Sequence, residues 1–502
     1  MTSYFEFFLS YVNIQLVLAL FAIYILSFHA LKRRQNLPPG PWSLPLLGNL
    51  PFIAMNLYRT GKEPEYLLTD MVTEYGEVFS LKIGTALIVV ANGCTSIQEA
   101  FHNRDINDRP GSRILQETDW DEAIGNTSGK SWKYQRTFIL NSFRSFGVGR
   151  SKFEGNILKE AQTLVDGMRD TKETPFNPHV LVGDCVSNVI CSVVFGKRYD
   201  HRDPEFQRLI QLVNTNAENL GSGALVLYLP IAKYILPGQY KRVKSDFNEF
   251  TIFTQGHIKE HRQKFDKDNM HDIIDVFLNE IELAEKEQGD RVDYIHLKSL
   301  TATASFLFLA GTETSSTTLR WALLYITKYP EIQAQVQHEL DCVIGRTRMP
   351  QCADRALLPY TEAVLLEIQR IRTVLPLGLP HVASQDTKLA GYDIPKGTLV
   401  VSNIWAVHND PDVWTEPEQF KPERFLDEDG RLRHRKELMP FSTGHRVCLG
   451  ENLAKMEIFL FFTYILHSFV ITSGDVEPPS TKGVGGVTFG PKPYRIIAKY
   501  RK

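Results

Sequence analysis

Ten residues near the C-terminus, Phe441-Ser-Thr-Gly444-His-Arg446-Val-Cys448-Leu-Gly450, constrain this chain more than any other stretch. They run straight into the apolar helix pattern of 451–469. A cysteine thiolate is a strong axial donor to iron, and its basicity has to be held down by backbone N–H groups and positive charge. Glycines at 444 and 450 let the backbone fold closely around the sulfur. Arg446 stands two residues away as a partner for an anionic cofactor edge, and the helix starting beside Cys448 turns its positive end toward the ligand. Five such positions coincide by chance in about one random chain of this length in ten thousand. The bland alternative, an inert buried cysteine, is weak here.

A fold able to enclose a cofactor needs a large core, and 502 residues at 43% hydrophobic supply one. The charges nearly balance, 56 Lys+Arg against 58 Asp+Glu. No basic tract is interleaved with aromatics, so nucleic acid is excluded as a partner. The six cysteines show no CxxC and no Cys/His spacing of a zinc site, and they read as reduced thiols.

Residues Phe7 to Leu31 are mostly apolar and long enough to cross a bilayer, with Lys32, Arg33 and Arg34 following at once. The positive-inside rule puts everything beyond residue 34 in the cytosol. A core helix is the alternative. Leu37-Pro38-Pro39-Gly40-Pro41, with Pro45 and Pro51, reads as a stiff extended spacer, equally compatible with an ordinary linker. The expected division is an anchor over 1–34, a hinge over 35–51 and one catalytic unit over 52–502.

That unit is mainly α with a small β portion. Amphipathic patterns predict helices around 151–170, 245–265, 294–328, 331–343, 359–372 and 450–469. Strand patterns fall at Val78 to Val90, Thr398 to Asn403 and Thr488 to Tyr500. The stretch Lys264 to Met270 reads as a solvated loop without calcium-loop spacing, and the sequon Asn126-Thr-Ser128 is discounted as cytosolic. The centre of the 294–328 helix, Gly311-Thr-Glu-Thr-Ser-Ser-Thr-Thr318, is rich in poor helix formers, which suggests a π-bulge or a groove for a small ligand. Glu367 and Arg370 share a helix face and can pair, though such pairs are common on surfaces.

On these residues the chain resembles the cytochrome P450 monooxygenases. The loop matches their haem signature FxxGxRxCxG at every specified position. Glu367-Ile-Gln-Arg370 is similar to their ExxR pair and Pro422-Glu423-Arg424-Phe425 to the PERF element. Ala310-Gly311-Thr312-Glu313-Thr314 resembles the oxygen-binding helix motif, and Trp132-Lys-Tyr-Gln-Arg136 the WxxxR motif. The Pro38–Pro41 hinge with Gly48-Asn49 resembles the microsomal branch, and 376–397 and 440–462 look closest to the animal family 2 clan. The resemblance covers essentially the whole chain.

The resemblance implies the cytochrome P450 fold and haem b, with Cys448 as the iron ligand and Phe441, Gly444 and Gly450 in the haem loop. It implies propionate partners in Arg446, Trp132, Arg136, His381 and Arg109, the last two resting on spacing alone. Glu367, Arg370 and Arg424 would form a network holding that loop. Gly311 would leave room for dioxygen, and Thr314 with Glu313 behind it would relay protons for heterolytic O–O cleavage. The implied reaction is hydroxylation or epoxidation with O₂ and electrons from NADPH, delivered by NADPH–cytochrome P450 reductase, with cytochrome b5 as an optional second donor. The implied location is the endoplasmic reticulum membrane, single-pass, with a cytosolic catalytic domain.

The matching substrate regions are apolar: Phe306 and Ala310, Val374, Leu375 and Leu377, then Val484, Val487 and Phe489. No Arg or Lys falls within Val374–Leu379 or Gly483–Gly490. A lipophilic substrate follows, a fatty acid, steroid or xenobiotic. Two rivals stay open: a haem-thiolate isomerase or dehydratase acting on a peroxide, and a non-catalytic membrane-anchored haem protein.

Overall fold

The computed structural model describes residues 15–20, 23, 36–61, 64–148, 151–228 and 232–501. Its frame is a set of long helices, of which seven position the site: α1 (Gly129–Phe146), α2 (Pro178–Val194), α3 (Pro204–Tyr228), α4 (Pro237–Lys264), α5 (Leu297–Lys328), α6 (Pro359–Ile371) and α7 (Glu451–Ser468). The 32-residue α5 runs through the middle of the core, with Leu319, Trp321, Leu323 and Leu324 fully buried. Helix α7 is apolar on nearly every face and lies within the same core cluster. Such all-round hydrophobicity marks a helix sealed inside the protein.

Strands are short. β1 (Val78–Ile83) and β2 (Ala86–Ala91) form the hairpin expected at 78–90, turning at Gly84, whose φ of +61° is the left-handed conformation glycine adopts freely. They continue through β6 (Leu399–Ser402), parallel to β2, to β3 (His381–Val382), giving the order β1-β2-β6-β3. The pairs β4 (Thr387–Leu389) with β5 (Tyr392–Ile394), β7 (Phe469–Ser473) with β10 (Ile496–Tyr500), and β8 (Gly483–Val484) with β9 (Gly490–Pro491) are separate two-stranded ribbons. The stretch expected as one strand from Thr488 is therefore two pieces.

The expected helices are all present, within a few residues except that α4 begins at Pro237 rather than 245, while α1, α2 and α3 were not read from the sequence. Helix α2 is buried from Val182 almost continuously to Val194, so it carries no amphipathic stripe to detect. The bulge expected in α5 is absent. The helix is continuous because its hydroxyls bond back along it: Thr314 Oγ1 donates to Ala310 O (2.8 Å), and Thr318 Oγ1 to Thr314 O (2.8 Å).

Most of the apolar segment 7–31 and the basic residues 32–34 lie outside the described residues. Among the described residues no helix is long and apolar enough to cross a membrane. The proline-rich stretch docks on the sheet: Ser80 N–H donates to Pro39 O (2.6 Å), and a Cβ on Gly40 would stand 2.0 Å from Ser80 O. Its last two residues already belong to a helix, Leu50–Thr60.

Candidate haem-thiolate site

The loop before α7 closes on itself. Cys448 N–H donates to Phe441 O (3.0 Å), a 3-10 turn spans Gly444–Arg446, and α7 begins at Glu451. Gly444 has a φ of +77°, and a Cβ there would lie 2.0 Å from Phe101 O, which is backbone and does not yield. Glycine is obligatory at 444. The same argument does not hold at 450, where φ is −92° and an added Cβ meets open space; Gly450 contributes its N–H to the sulfur instead. Burial pushes the Cys448 thiol up, opposed by that N–H and by Arg136. The residue is enclosed by protein yet exposed, because its side chain opens onto an internal cavity.

That cavity contains about 1680 Å³ of atom-free space, part of it continuous with solvent. Cys448, Phe441 and Gly450 form one wall; Ala310, Gly311 and Thr314 of α5 face it from another. At one rim stand Arg109, Arg136, Arg446, Trp132 and His381. The Arg446 guanidinium lies 4.4 Å from the Trp132 ring centre. Arg109 NH1 donates to Leu379 O (3.0 Å) and Pro380 O (2.9 Å), and Arg136 NH2 to Val447 O (2.7 Å). Arg446 likewise spends its bonds on carbonyls, those of Asn107 (2.5 Å) and Thr127 (2.7 Å). Burial, then repulsion from Arg109, pulls Arg446 down to about 8, with Asp108 opposing and Arg136 adding to the repulsion. Burial, then Arg109, pulls His381 down to about 2; its Nδ1 lies 2.8 Å from Ile106 O and its ring stacks on Phe101. Three guanidiniums lining the same cavity as the Cys448 thiol fit a planar, dianionic, iron-bearing macrocycle: the cations for its carboxylates, Cys448 for its metal.

The loop is held from behind. Arg370 Nε and NH2 grip Glu367 at 2.7 and 2.8 Å, and Arg424 Nε reaches the same carboxylate at 3.2 Å. Glu367 and Arg370 are fully buried, so the surface-pair reading is excluded. Arg370 NH1 donates to His408 O (2.7 Å), and the His408 ring, kept neutral by burial, accepts from Met439 N–H at Nε2 (2.9 Å). Its other nitrogen then carries the proton and donates to Thr373 Oγ1 (2.6 Å). Met439 sits two residues before Phe441, so the network anchors the start of the cysteine loop.

On α5, Glu313 does not line the cavity. Its carboxylate accepts from Thr317 Oγ1 and Thr488 Oγ1, each at 2.9 Å, behind the helix. Gly311 does line it, but a Cβ there would stand 2.6 Å from Ile190 Cδ1, so its smallness serves the packing of α5 on α2. Of the expected substrate contacts, Phe306, Ala310, Val374 and Leu375 are in the wall; Leu377, Val484, Val487 and Phe489 are not. Phe489 lies one layer back, its N–H on Val374 O (2.8 Å) and its ring against Trp321 and Trp405.

Sequence reasoning missed Ile190, Val193 and Val194 of α2, and with them Arg372 and Glu457. Only Glu457 carried a signal, as one acid inside the apolar run Met456 to Phe462. Burial pushes it up to about 8 against a hydrogen bond from Ser315.

A family model described as Cytochrome P450 matches residues 38–498. The chain is 38% identical to cytochrome P450 2J5 of Mus musculus over 95% of its length and 94% of that protein. It is 38% identical to cytochrome P450 2J2 of Homo sapiens over the same shares, and 38% identical to cytochrome P450 2C23 of Rattus norvegicus over 97% and 98%.

Proposed function

The chain belongs to the cytochrome P450 family, a haem-thiolate monooxygenase therefore, and from that premise we propose that it oxygenates a bilayer-soluble substrate of fatty-acid or steroid size at a haem held on Cys448. One observation carries this reading: a largely apolar cavity lies between the Cys448 wall and the Ala310–Thr314 face of α5. When bound, haem b supplies the activation of O₂ by two electrons, which we assign to NADPH through a membrane-bound reductase, with cytochrome b5 as a further donor.

The protein's own groups do the rest. Arg109, Arg136, Arg446, Trp132 and His381 take the propionates, turning the cofactor in one direction. Phe306, Ala310, Val374 and Leu375 exclude water and hold the apolar substrate by shape, which discriminates poorly between analogues differing by a methylene. Thr314 passes protons at Oγ1, breaking its bond to Ala310 O to do so, while the Glu313 carboxylate is held behind the helix by Thr317 and Thr488. We place the catalytic unit over 52–502, the hinge over 35–51 and a single-pass endoplasmic-reticulum anchor over 1–34. Exposed Trp42, Leu46, Met55 and Tyr58 on the hinge and the helix Leu50–Thr60 support a membrane-facing side there.

The test is Thr314→Ala in the reconstituted holoenzyme with fatty acids, steroids and xenobiotics. The ferrous carbonyl spectrum and substrate affinity should stay near wild type while product per NADPH falls at least about tenfold, a floor beneath the roughly 10²–10⁴-fold that a positioned proton-transfer group contributes. Wild-type coupling would remove Thr314 from the reaction. Peroxide rearrangement without reductase would favour the isomerase, and no NADPH oxidation with any compound the non-catalytic protein.

A further inference from the structure

We infer a second metal site, outside the haem cavity, in which Glu160, Cys185 and His201 bind a thiophilic divalent cation, zinc first among them. Glu160 comes from the helix Ser151–Asp170, Cys185 from α2, and His201 from the loop leading into α3. One oxygen, one sulfur and one nitrogen from these three side chains lie within 4.8 Å of one another. None of the three lines the haem cavity. Their spacing in the chain, 25 and 16 residues, resembles no zinc motif; only the fold collects them.

The surroundings are those of a metal centre. Arg198 holds Glu160 at both oxygens, donating from Nε to Oε1 and more loosely from NH2 to Oε2 (3.4 Å), and Oε2 stands 3.7 Å from His201 Nε2. The other imidazole nitrogen, Nδ1, is 3.9 Å from Asp184 Oδ2, which Gln207 holds at 3.0 Å. A carboxylate behind a histidine and a donor behind a ligating carboxylate are the outer contacts that orient metal ligands. His201 Nε2 and Asp184 Oδ1 are both buried without a hydrogen-bond partner. Asp184 is 4% exposed and Glu160 3%, so two sealed carboxylates face one guanidinium and the cluster is short of positive charge.

The donor set selects the ion. Sulfur, imidazole and carboxylate together suit zinc over calcium or magnesium, which take oxygen alone. Bond lengths near 2.0–2.3 Å put tetrahedral ligands about 3.3–3.8 Å apart, so the Glu160–His201 pair already fits and Cys185 has to close by at most about 1 Å. The fourth position falls to water. On binding, the Cys185 S–H bond breaks, a Zn–S bond forms and the proton leaves to solvent, with no change of oxidation state. His201, 21% exposed at its side chain, gives the ion a way in. The site would tie Ser151–Asp170 to α2, whose far end (Ile190, Val193, Val194) walls the haem cavity.

The experiment uses the haem-loaded full chain carrying His338→Ala, since exposed Cys342 and His338 on one helix are a competing pair and haem occupies Cys448. One equivalent of zinc is added, loose metal is dialysed away, and zinc per haem and the melting temperature are read. One zinc per haem and a raised melting temperature are expected. Both should be lost in Cys185→Ser and in His201→Gln with the ferrous carbonyl spectrum unchanged. Asp184→Asn should weaken binding about 10–100-fold. Absence of retained zinc, or equal retention in both ligand variants, would overturn the site. Should Cys185→Ser not fold, His201→Gln, on a half-exposed loop, decides alone.

Discussion

Glu457 is a carboxyl group sealed in the wall of the cavity, 1% exposed, with Oε1 unpartnered. Desolvation raises it to about 8, so the folded chain keeps its proton where the unfolded chain, near 4.5, has lost it. The sign follows. Stability from this group is complete below about pH 4.5 and drains away as pH rises through 8. Glu457→Gln stays neutral throughout, so its advantage over wild type should grow from nothing near pH 4.5 to at most about 3 kcal/mol at pH 7. Thermal melts of the holoprotein at pH 5 and pH 8 check this, and a gap independent of pH would contradict it. Single residues were legible where chemistry demands a residue type: Cys448, Arg446, Thr314. Gly311 and Gly450 were legible as glycines but not in their reason, because a neighbour such as Ile190 is invisible to spacing.

Among elements, the join of α6 to the cysteine loop carries the greatest stake. Glu367 receives Arg370, Arg424 and the Lys421 N–H (3.0 Å) in a site without solvent. Glu367→Ala would strand two buried guanidiniums, which costs about 3–5 kcal/mol. Arg370 would then lose the geometry that fixes His408 and Met439. The expected outcome is a holoprotein yield near zero, read as haem per polypeptide, with Arg424→Lys milder. Full haem content in Glu367→Ala would reduce the network to packing. Helices with one wet face, such as Ser151–Asp170, announced themselves by period. Helix α2 did not, since burial on all sides erases the contrast that periodicity measures.

For the whole molecule, the question is how the body meets the bilayer. Asn36 N–H donates to Asp393 Oδ2 (2.9 Å) and its Nδ2 to Gly391 O (3.1 Å), so a cut after residue 34 leaves the first contacts of the body in place. Deleting 1–34 should keep haem content and the ferrous carbonyl spectrum while lowering the share pelleting with membranes. Release should be incomplete, because Trp42, Leu46 and Tyr58 remain as an exposed apolar side. Complete solubility, or loss of haem, would count against that division. By itself the sequence determined the thiolate loop, the Glu367–Arg370 pair, the hydroxyl-rich helix and the mainly α class, since each is a local pattern written within about ten residues. Only the tertiary structure decided that Glu313 turns away from the cavity, that Glu457 and Arg372 turn into it, and that Glu160, Cys185 and His201 meet. Those facts depend on how helices rotate and pack against partners distant in the chain, and spacing along one helix holds no record of what lies opposite.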